Sequence, residues 1–170
     1  MELLNIYYEP TKIGKVVIGE YNNSVVYIGF PGKEMMKKLT LFSRKNGFVI
    51  KLNKTKIVEE AFREIDQYFN GERREFTIPV NLIGTDLQIK IWRAVASIPY
   101  GEVSTYSEIA NKIGGKGYAR VVGNAMSANP VPIIIPCHRI IGKNGGLRGF
   151  GGGLRLKRYL LELESENIIR

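Results

Sequence analysis

Apolar and polar residues alternate, or give way to β-branched runs, over Leu3–Tyr8, Lys15–Glu20 and Ser24–Phe30. This is the pattern of half-buried strands, and Asn22-Asn23 sits between the last two as a hairpin turn. The period then changes. Glu34–Arg44 has a helical pattern, and a stronger helix is expected over Lys56–Asn70, where Val58, Ala61, Phe62, Ile65 and Phe69 recur at helical spacing and Gly71 closes it. No catalytic residue types gather in this half, so its aromatic side chains read as core.

A second unit starts near Asn81. Thr85-Asp86-Leu87-Gln88 has the form of a capping box, and Ile89, Trp92, Arg93 and Val95-Ala96 continue a helix that Pro99-Tyr100-Gly101 stops. Thr105-Tyr106-Ser107-Glu108 repeats the signal for a short helix to Ile113. Gly114-Gly115-Lys116-Gly117 breaks the chain, and a further helix runs from Tyr118 to Ser127, ended by Asn129-Pro130. Short helix, glycine turn, second helix is the outline of a helix-turn-helix, an outline that many helix pairs satisfy. A last helix is expected over Leu154–Glu164. The pattern gives two domains, residues 1–80 and 81–170, of mixed α/β class with the helices concentrated in the second.

Charge alters this picture in one region. Between Ala110 and Leu161 there is no Asp or Glu but there are nine Lys and Arg residues, within a chain of 170 residues and net charge +9. A field of one sign attracts a polyanion, and nucleic acid is the leading partner, against the alternative of a solvated basic face. No apolar stretch approaches the ~18 residues of a membrane span, and Met1-Glu2-Leu3-Leu4 lacks the basic-then-apolar start of an export signal. A cytoplasmic protein in a reducing compartment is expected, since a single cysteine permits no internal disulfide.

The candidate chemistry lies inside the basic stretch. Pro136-Cys137-His138-Arg139-Ile140, preceded by Ile133-Ile134-Ile135, places the only cysteine and the only histidine side by side. One of each cannot complete a zinc site, so no metal is expected. A lone cysteine is often an inert core residue. Here proline and two potential cations flank it, an environment expected to favour the thiolate. Consecutive strand residues face opposite ways, so either the backbone turns at Cys137-His138 or a water relays a proton between them. A carboxylate is expected to orient the imidazole, and spacing alone does not locate it.

Two neighbouring segments bear on a ligand. Arg120, Gly123, Asn124 and Ser127 fall at i, i+3, i+4 and i+7, giving one small, polar helix face that could approach a nucleic acid, with Val121, Val122, Ala125 and Met126 available to the core. Gly142–Gly153 has seven glycines in twelve residues without the order of a phosphate-binding loop. It is either a flexible surface loop or a wall that comes close to a flat ligand.

Asn129-Pro130-Val131-Pro132-Ile133-Ile134-Ile135 leading into Pro-Cys-His-Arg-Ile resembles the active-site signature of the O6-alkylguanine-DNA alkyltransferases. The likeness extends from about Thr85 to Glu164 and includes Pro-Tyr-Gly-Glu-Val, Arg-Val-Val-Gly-Asn-Ala-Met and the closing Gly-Gly-Leu. The resemblance implies a small antiparallel N-terminal sheet with helices, ribonuclease H-like and mainly structural, followed by a winged helix-turn-helix domain that carries the site. It implies that Cys137 accepts the alkyl group of O6-alkylguanine, mainly O6-methylguanine and less well O4-methylthymine, and keeps it as a thioether without a cofactor. His138 would act as base through a water, Glu164 would orient it, and Asn129 would brace the turn before the cysteine. Arg120 would replace the extruded base in the stack, and Tyr106 would help rotate the nucleotide and donate toward O6. Gly123, Asn124 and Ser127 would lie at the minor groove of double-stranded DNA.

The resemblance also places Met126, Ile140, Phe150 and Gly151 in the substrate pocket. Phe150-Gly151 stands where many relatives have Tyr-Ser, so a contact made by a backbone N–H survives and one made by a hydroxyl is lost. A monomer is expected, and each molecule is expected to act once, because no second nucleophile is at hand to hydrolyse a thioether. The rival readings are a non-catalytic alkylated-DNA-binding relative, which replaces the cysteine, a winged-helix regulator that senses alkylation or oxidation, and a thiol hydrolase, which needs an oxyanion site.

Overall fold

In the computed structural model, which describes Met1–Ile169, the chain begins with a meander of β1 (Glu2–Thr11), β2 (Gly14–Tyr21) and β3 (Ser24–Gly29). Asn22 and Asn23, at φ 54° and 63°, both occupy the left-handed region that a two-residue hairpin turn of the twist-matching type requires. β1 and β2 pair antiparallel from Asn5 opposite Glu20 to Thr11 opposite Gly14, and β2 pairs antiparallel with β3. Helix α1 (Met35–Lys45) leads into β4 (Phe48–Leu52), which lies parallel to β1 in the strand order β3-β2-β1-β4. The sheet is therefore mixed, and the expectation of a wholly antiparallel one is corrected. The cause is the helical crossover that carries the chain from β3 on one edge to β4 on the other, so that β4 runs in the direction of its neighbour β1. β4 itself was absent from the sequence reading: five residues on a sheet edge, with Val49, Lys51 and Leu52 exposed, show no alternation to detect.

Helix α2 (Lys56–Phe69) starts at Thr55, whose side chain accepts from the Val58 amide, and packs its buried Val58, Ala61, Phe62, Ile65 and Phe69 against the sheet. One acid interrupts that face. Glu64, 2% exposed, accepts from the amides of Thr77 at 2.8 Å and Ile78 at 3.1 Å and so ties down the segment that follows the helix. Pro79 and Asn81 then bond with Val25 of β3, which ends the first compact unit, Met1–Leu82. The second unit is Ile83–Arg170, and Arg170, the last residue of the expected second domain, lies outside the described residues.

In the second unit α3 (Asp86–Ala96) opens with the complete capping box: the Gln88 amide donates to Thr85 Oγ1 at 3.1 Å and the Thr85 amide to Gln88 Oε1 at 2.9 Å. Trp92 is buried on this helix and its indole N–H donates to the Ala125 carbonyl at 2.8 Å, joining α3 to α5 (Ala119–Ser127). Gly84 leaves room for that indole, since a Cβ there would come within 2.6 Å of the ring. Helix α4 (Tyr106–Ile113) is capped by Thr105 and separated from α5 by the glycine turn and a single 3-10 turn, Lys116–Tyr118. β5 (Ser104–Thr105) pairs parallel with β6 (Ile140–Ile141), which brings the start of α4 beside the segment that follows Cys137. Helix α6 (Leu154–Ile169) extends about a turn and a half past the expected end at Glu164.

Candidate active site

The backbone turns at the cysteine. Pro136, with φ −80° and ψ 62°, makes an inverse γ-turn in which the Cys137 amide donates to the Ile135 carbonyl at 2.7 Å, and Cys137–Arg139 continue as one 3-10 turn. Of the two geometries the sequence left open, the turn is the one adopted. Upstream, Ile133 is a buried β-branched residue at φ 73°, a conformation that costs about 1–3 kcal/mol and persists only where surroundings enforce it. Asn129 supplies part of that enforcement: its Oδ1 accepts from the Val131 amide at 3.0 Å and its Nδ2 donates to the Ile135 carbonyl at 3.0 Å.

Cys137 and His138 are 6% and 0% exposed. The imidazole Nε2 lies 2.7 Å from Glu164 Oε2 on α6, so the carboxylate anticipated from the resemblance is the one the fold brings there. The same carboxylate accepts from Arg139 twice, Nε to Oε1 at 2.8 Å and Nη2 to Oε2 at 3.0 Å, and from the Gly101 amide at 3.1 Å. Burial alone would raise the Glu164 carboxyl, but hydrogen bonds from His138 and Arg139, with the Arg139 charge, hold it down at about 2. Burial is also the largest influence on His138 and lowers it; the Glu164 bond and charge oppose this, while the charges of Arg139 and Lys157 add to the lowering. Burial thus favours the neutral imidazole, and in that form an Nε2–H facing the carboxylate leaves the lone pair on Nδ1.

One expectation about the thiol is corrected. Arg139 does not provide it with positive charge, because all three of its donor nitrogens are turned to Glu164 and to the Ile98 carbonyl, the latter at 2.7 Å. Burial pushes Cys137 up to about 11, and what pulls the other way is a hydrogen bond from Asn129, the charge of Lys157 and the amides of Cys137 and His138. The resting group is a thiol, and ionisation has to be coupled to loss of its proton to a base.

The remaining predicted residues divide between this centre and the surface. Tyr106, half-buried at the start of α4, lies near enough to Cys137 and Arg148 for their charges to act on its phenol, which burial raises above 10.0. Phe150 meets the His138 ring edge-on with centroids 6.5 Å apart. Met126 and Ile140 are buried, whereas Gly151 is exposed and a Cβ on it would meet nothing within 4 Å, so lack of space does not dictate glycine there. Arg120, Asn124 and Ser127 are exposed on α5 with Gly123 half-buried between them. A Cβ on Gly123 would sit 4.0 Å from the Tyr106 ring. Among the described residues no three Cys, His, Asp or Glu side chains are grouped to hold a metal ion.

Sequence reasoning missed Lys157 and understated Arg139 and Gly101. Lys157 is fully buried, donates to the Arg148 carbonyl at 3.2 Å, and is lowered by burial while the charge of Cys137 opposes that shift. The signal was available in the last helix: among its described side chains, Lys157, Leu160, Glu164 and Asn167 are buried, spaced three, four and three apart. A buried stripe with three polar members marks a helix that faces something other than a hydrocarbon core.

Residues 86–166 match the family described as 6-O-methylguanine DNA methyltransferase, DNA binding domain, and residues 11–82 match the ribonuclease-like domain of the same proteins. Over 162 residues, 94% of this chain and 84% of the relative, the sequence is 40% identical to the inducible methylated-DNA–protein-cysteine methyltransferase of Bacillus subtilis. The chain belongs to the O6-methylguanine-DNA methyltransferase family. Within it, the crystal structure of the Mycobacterium tuberculosis O6-methylguanine methyltransferase superposes with a TM-score of 0.81 at 35% identity, covering 98% of this chain and 94% of that one. A structure of Mycobacterium tuberculosis OGT in complex with DNA gives 0.79 at 34% identity over 97% and 94% of the two chains. The family's two domains correspond to the two compact units found here.

Proposed function

We propose that this protein repairs DNA by taking the alkyl group from O6 of guanine onto Cys137, once per molecule. The observation that carries the reading is the turn Cys137–Arg139, which sets a buried thiol next to an imidazole already oriented by a carboxylate, inside a helix-turn-helix unit. Relatives named methylated-DNA–protein-cysteine methyltransferase and a DNA-bound member of the family support it.

In the proposed reaction the Cys137 proton passes through a water to His138 Nδ1 as the sulfur attacks the alkyl carbon. The S–C bond forms, the C–O6 bond breaks, and the departing guanine takes a proton at O6 or its ring nitrogen so that it leaves neutral. Tyr106, whose raised pKa keeps it protonated, is the donor for that step. Glu164 stabilises the imidazolium that forms. A thioether in this site has no second nucleophile against it, so the acceptor is spent.

The duplex binds through the minor groove along the exposed face of α5, where Gly123, Asn124 and Ser127 leave the helix close to the backbone of the DNA. The damaged nucleotide is turned out into a pocket bounded by Met126, Ile140, Phe150 and Gly151, and Arg120 enters the stack in its place. Extrusion costs a few kcal/mol, offset by that replacement and by pocket contacts. The first domain is structural in this reading. Incubation with duplex DNA containing O6-methylguanine, followed by intact mass measurement, tests the assignment. A stoichiometric gain of one methyl on Cys137, absent in Cys137→Ala, is expected; an unchanged mass overturns the proposal.

A further inference from the structure

Arg139 is held more firmly than a salt bridge to a helix requires. Its Nε and Nη2 take the two oxygens of Glu164, its Nη1 donates to the Ile98 carbonyl at 2.7 Å, and its Cζ lies 5.6 Å from the centre of the Tyr100 ring. Gly101, one residue on, adds its amide to Glu164 Oε1. Gly101 has φ 81°, in the left-handed region that favours glycine, and a Cβ there would also displace the Ile168 side chain, so the position suits glycine. The result is a carboxylate fixed in the plane that aims Oε2 at His138 Nε2. Lysine would keep the charge but lose the fork, since one ammonium cannot span both oxygens and the carbonyl in this geometry.

We propose that Arg139 is a positioning residue that cancels the charge of Glu164 and thereby keeps His138 neutral, its Nδ1 lone pair reserved for the thiol proton. This rests on the reading of His138 as the base. The physical argument concerns the charge of a buried cluster. Glu164 alone, 2.7 Å from the imidazole in a buried site, would hold a second proton on the ring as an imidazolium–carboxylate pair and consume the lone pair before the reaction starts. With Arg139 bound, the pair carries no net charge, and protonating the ring would add a cation next to an existing one. Among the described residues, the charged and titratable groups facing His138 are Glu164 and Lys157 on α6, Arg139 and Cys137 on its own turn, with Tyr106 of α4 next to Cys137. Only Glu164 among them favours a charged ring at neutral pH.

Because His138 is the only histidine, nitrogen-correlated NMR of the imidazole reports on it without assignment. In the wild-type protein the spectrum should show the neutral Nε2–H tautomer at pH 7. Arg139→Gln should raise the His138 titration by about one to two pH units, slow transfer from O6-benzylguanine about tenfold or more at pH 6.5, and recover rate as pH rises. Arg139→Lys, which restores the charge without the fork, should return the ring to the neutral form. An imidazolium in the wild type at pH 7, or a folded Arg139→Gln whose His138 titrates as in the wild type, overturns the proposal. Should Arg139→Gln not fold, the wild-type spectrum and Arg139→Lys decide between the same outcomes. Full transfer rate in His138→Gln would instead remove the underlying reading of the base, whatever Arg139 does.

Discussion

Asn129 bridges the bend before the cysteine, donating from Nδ2 to the Ile135 carbonyl and accepting at Oδ1 from the Val131 amide, both at 3.0 Å. Its amide also offers a hydrogen bond that favours the ionised sulfur of Cys137. Asn129→Asp keeps the size but exchanges the donor for an anion, which loses the Ile135 bond and opposes a thiolate. Alkyl transfer to Cys137, followed by intact mass over time, should fall by about a hundredfold, since a lost donor to a charged group and a like charge add. Asn129→Asp within a few-fold of the wild type would show that the side chain only shapes the loop.

Glu164 is expected to act on the imidazole and not on DNA. Glu164→Gln retains an acceptor for His138 but carries no charge to stabilise the imidazolium, so alkylation should slow by roughly 10²–10⁴. Binding to undamaged duplex, read by fluorescence anisotropy, should be unchanged. Because the same substitution removes a partner of Arg139, a thermal scan belongs with the measurement, and an unchanged transfer rate in the folded variant would take Glu164 out of the relay.

How far these assignments were legible differs from residue to residue. The hairpin at Asn22-Asn23, the Thr85 capping box and the α4-turn-α5 outline follow from local rules, and local chemistry decides them in the structure as well. β4 was not legible, because a five-residue edge strand owes its existence to pairing with β1 some 46 residues earlier in register, Glu2 against Phe48. The same distinction holds in the site. The turn at Pro136-Cys137-His138 is a property of adjacent residues, whereas the destination of Arg139 depends on a helix that begins fifteen residues later at Leu154. Read in isolation the arginine looked like a cation for the thiol. It is a partner of Glu164, and the cation acting on the thiol comes from Lys157.

Arg120 stands exposed on α5 and belongs, in the proposed mechanism, to DNA handling alone. Arg120→Ala should reduce repair of O6-methylguanine in duplex DNA by about tenfold or more, the value of one lost stacking contact or phosphate-facing cation. Reaction with free O6-benzylguanine needs no extrusion and should change little. Equal losses on the two substrates would refute the role.

Lys157 presents two effects of opposite sign. Its charge lowers Cys137, yet burying an ammonium is costly, which is why its own pKa is lowered. Lys157→Met keeps the length of the side chain and removes the charge. The thiol should become about tenfold less reactive toward iodoacetamide at pH 8, one pH unit in its titration, while the melting temperature stays level or rises. A variant as reactive as the wild type would mean that the lysine serves only to hold the Arg148 carbonyl.

Stability should fall on both sides of neutrality, for reasons that separate by variant. On the acid side His138 and Glu164 both have folded pKa values below their ordinary ones, 6.5 and 4.5. In each case the unfolded chain binds the proton first, so stability is complete above the unfolded value and is lost as pH falls through the folded one. Loss should begin near pH 6.5 with the imidazole and steepen from 4.5 toward about 2 with the carboxylate. On the alkaline side Cys137 is raised from 9.0 to about 11, so the unfolded thiol ionises first and stability present below 9.0 is lost as pH rises toward about 11. That limb amounts to roughly 2–3 kcal/mol for a shift of about two units. Denaturant midpoints across pH 3–11 would show it, and Cys137→Ser should flatten the alkaline limb while leaving the acid one intact. The alkylated protein, whose thioether cannot ionise, should lose the same limb. An alkaline decline equally steep in wild type, Cys137→Ser and alkylated protein would assign it to other groups and leave the buried thiol without a measurable linkage to folding.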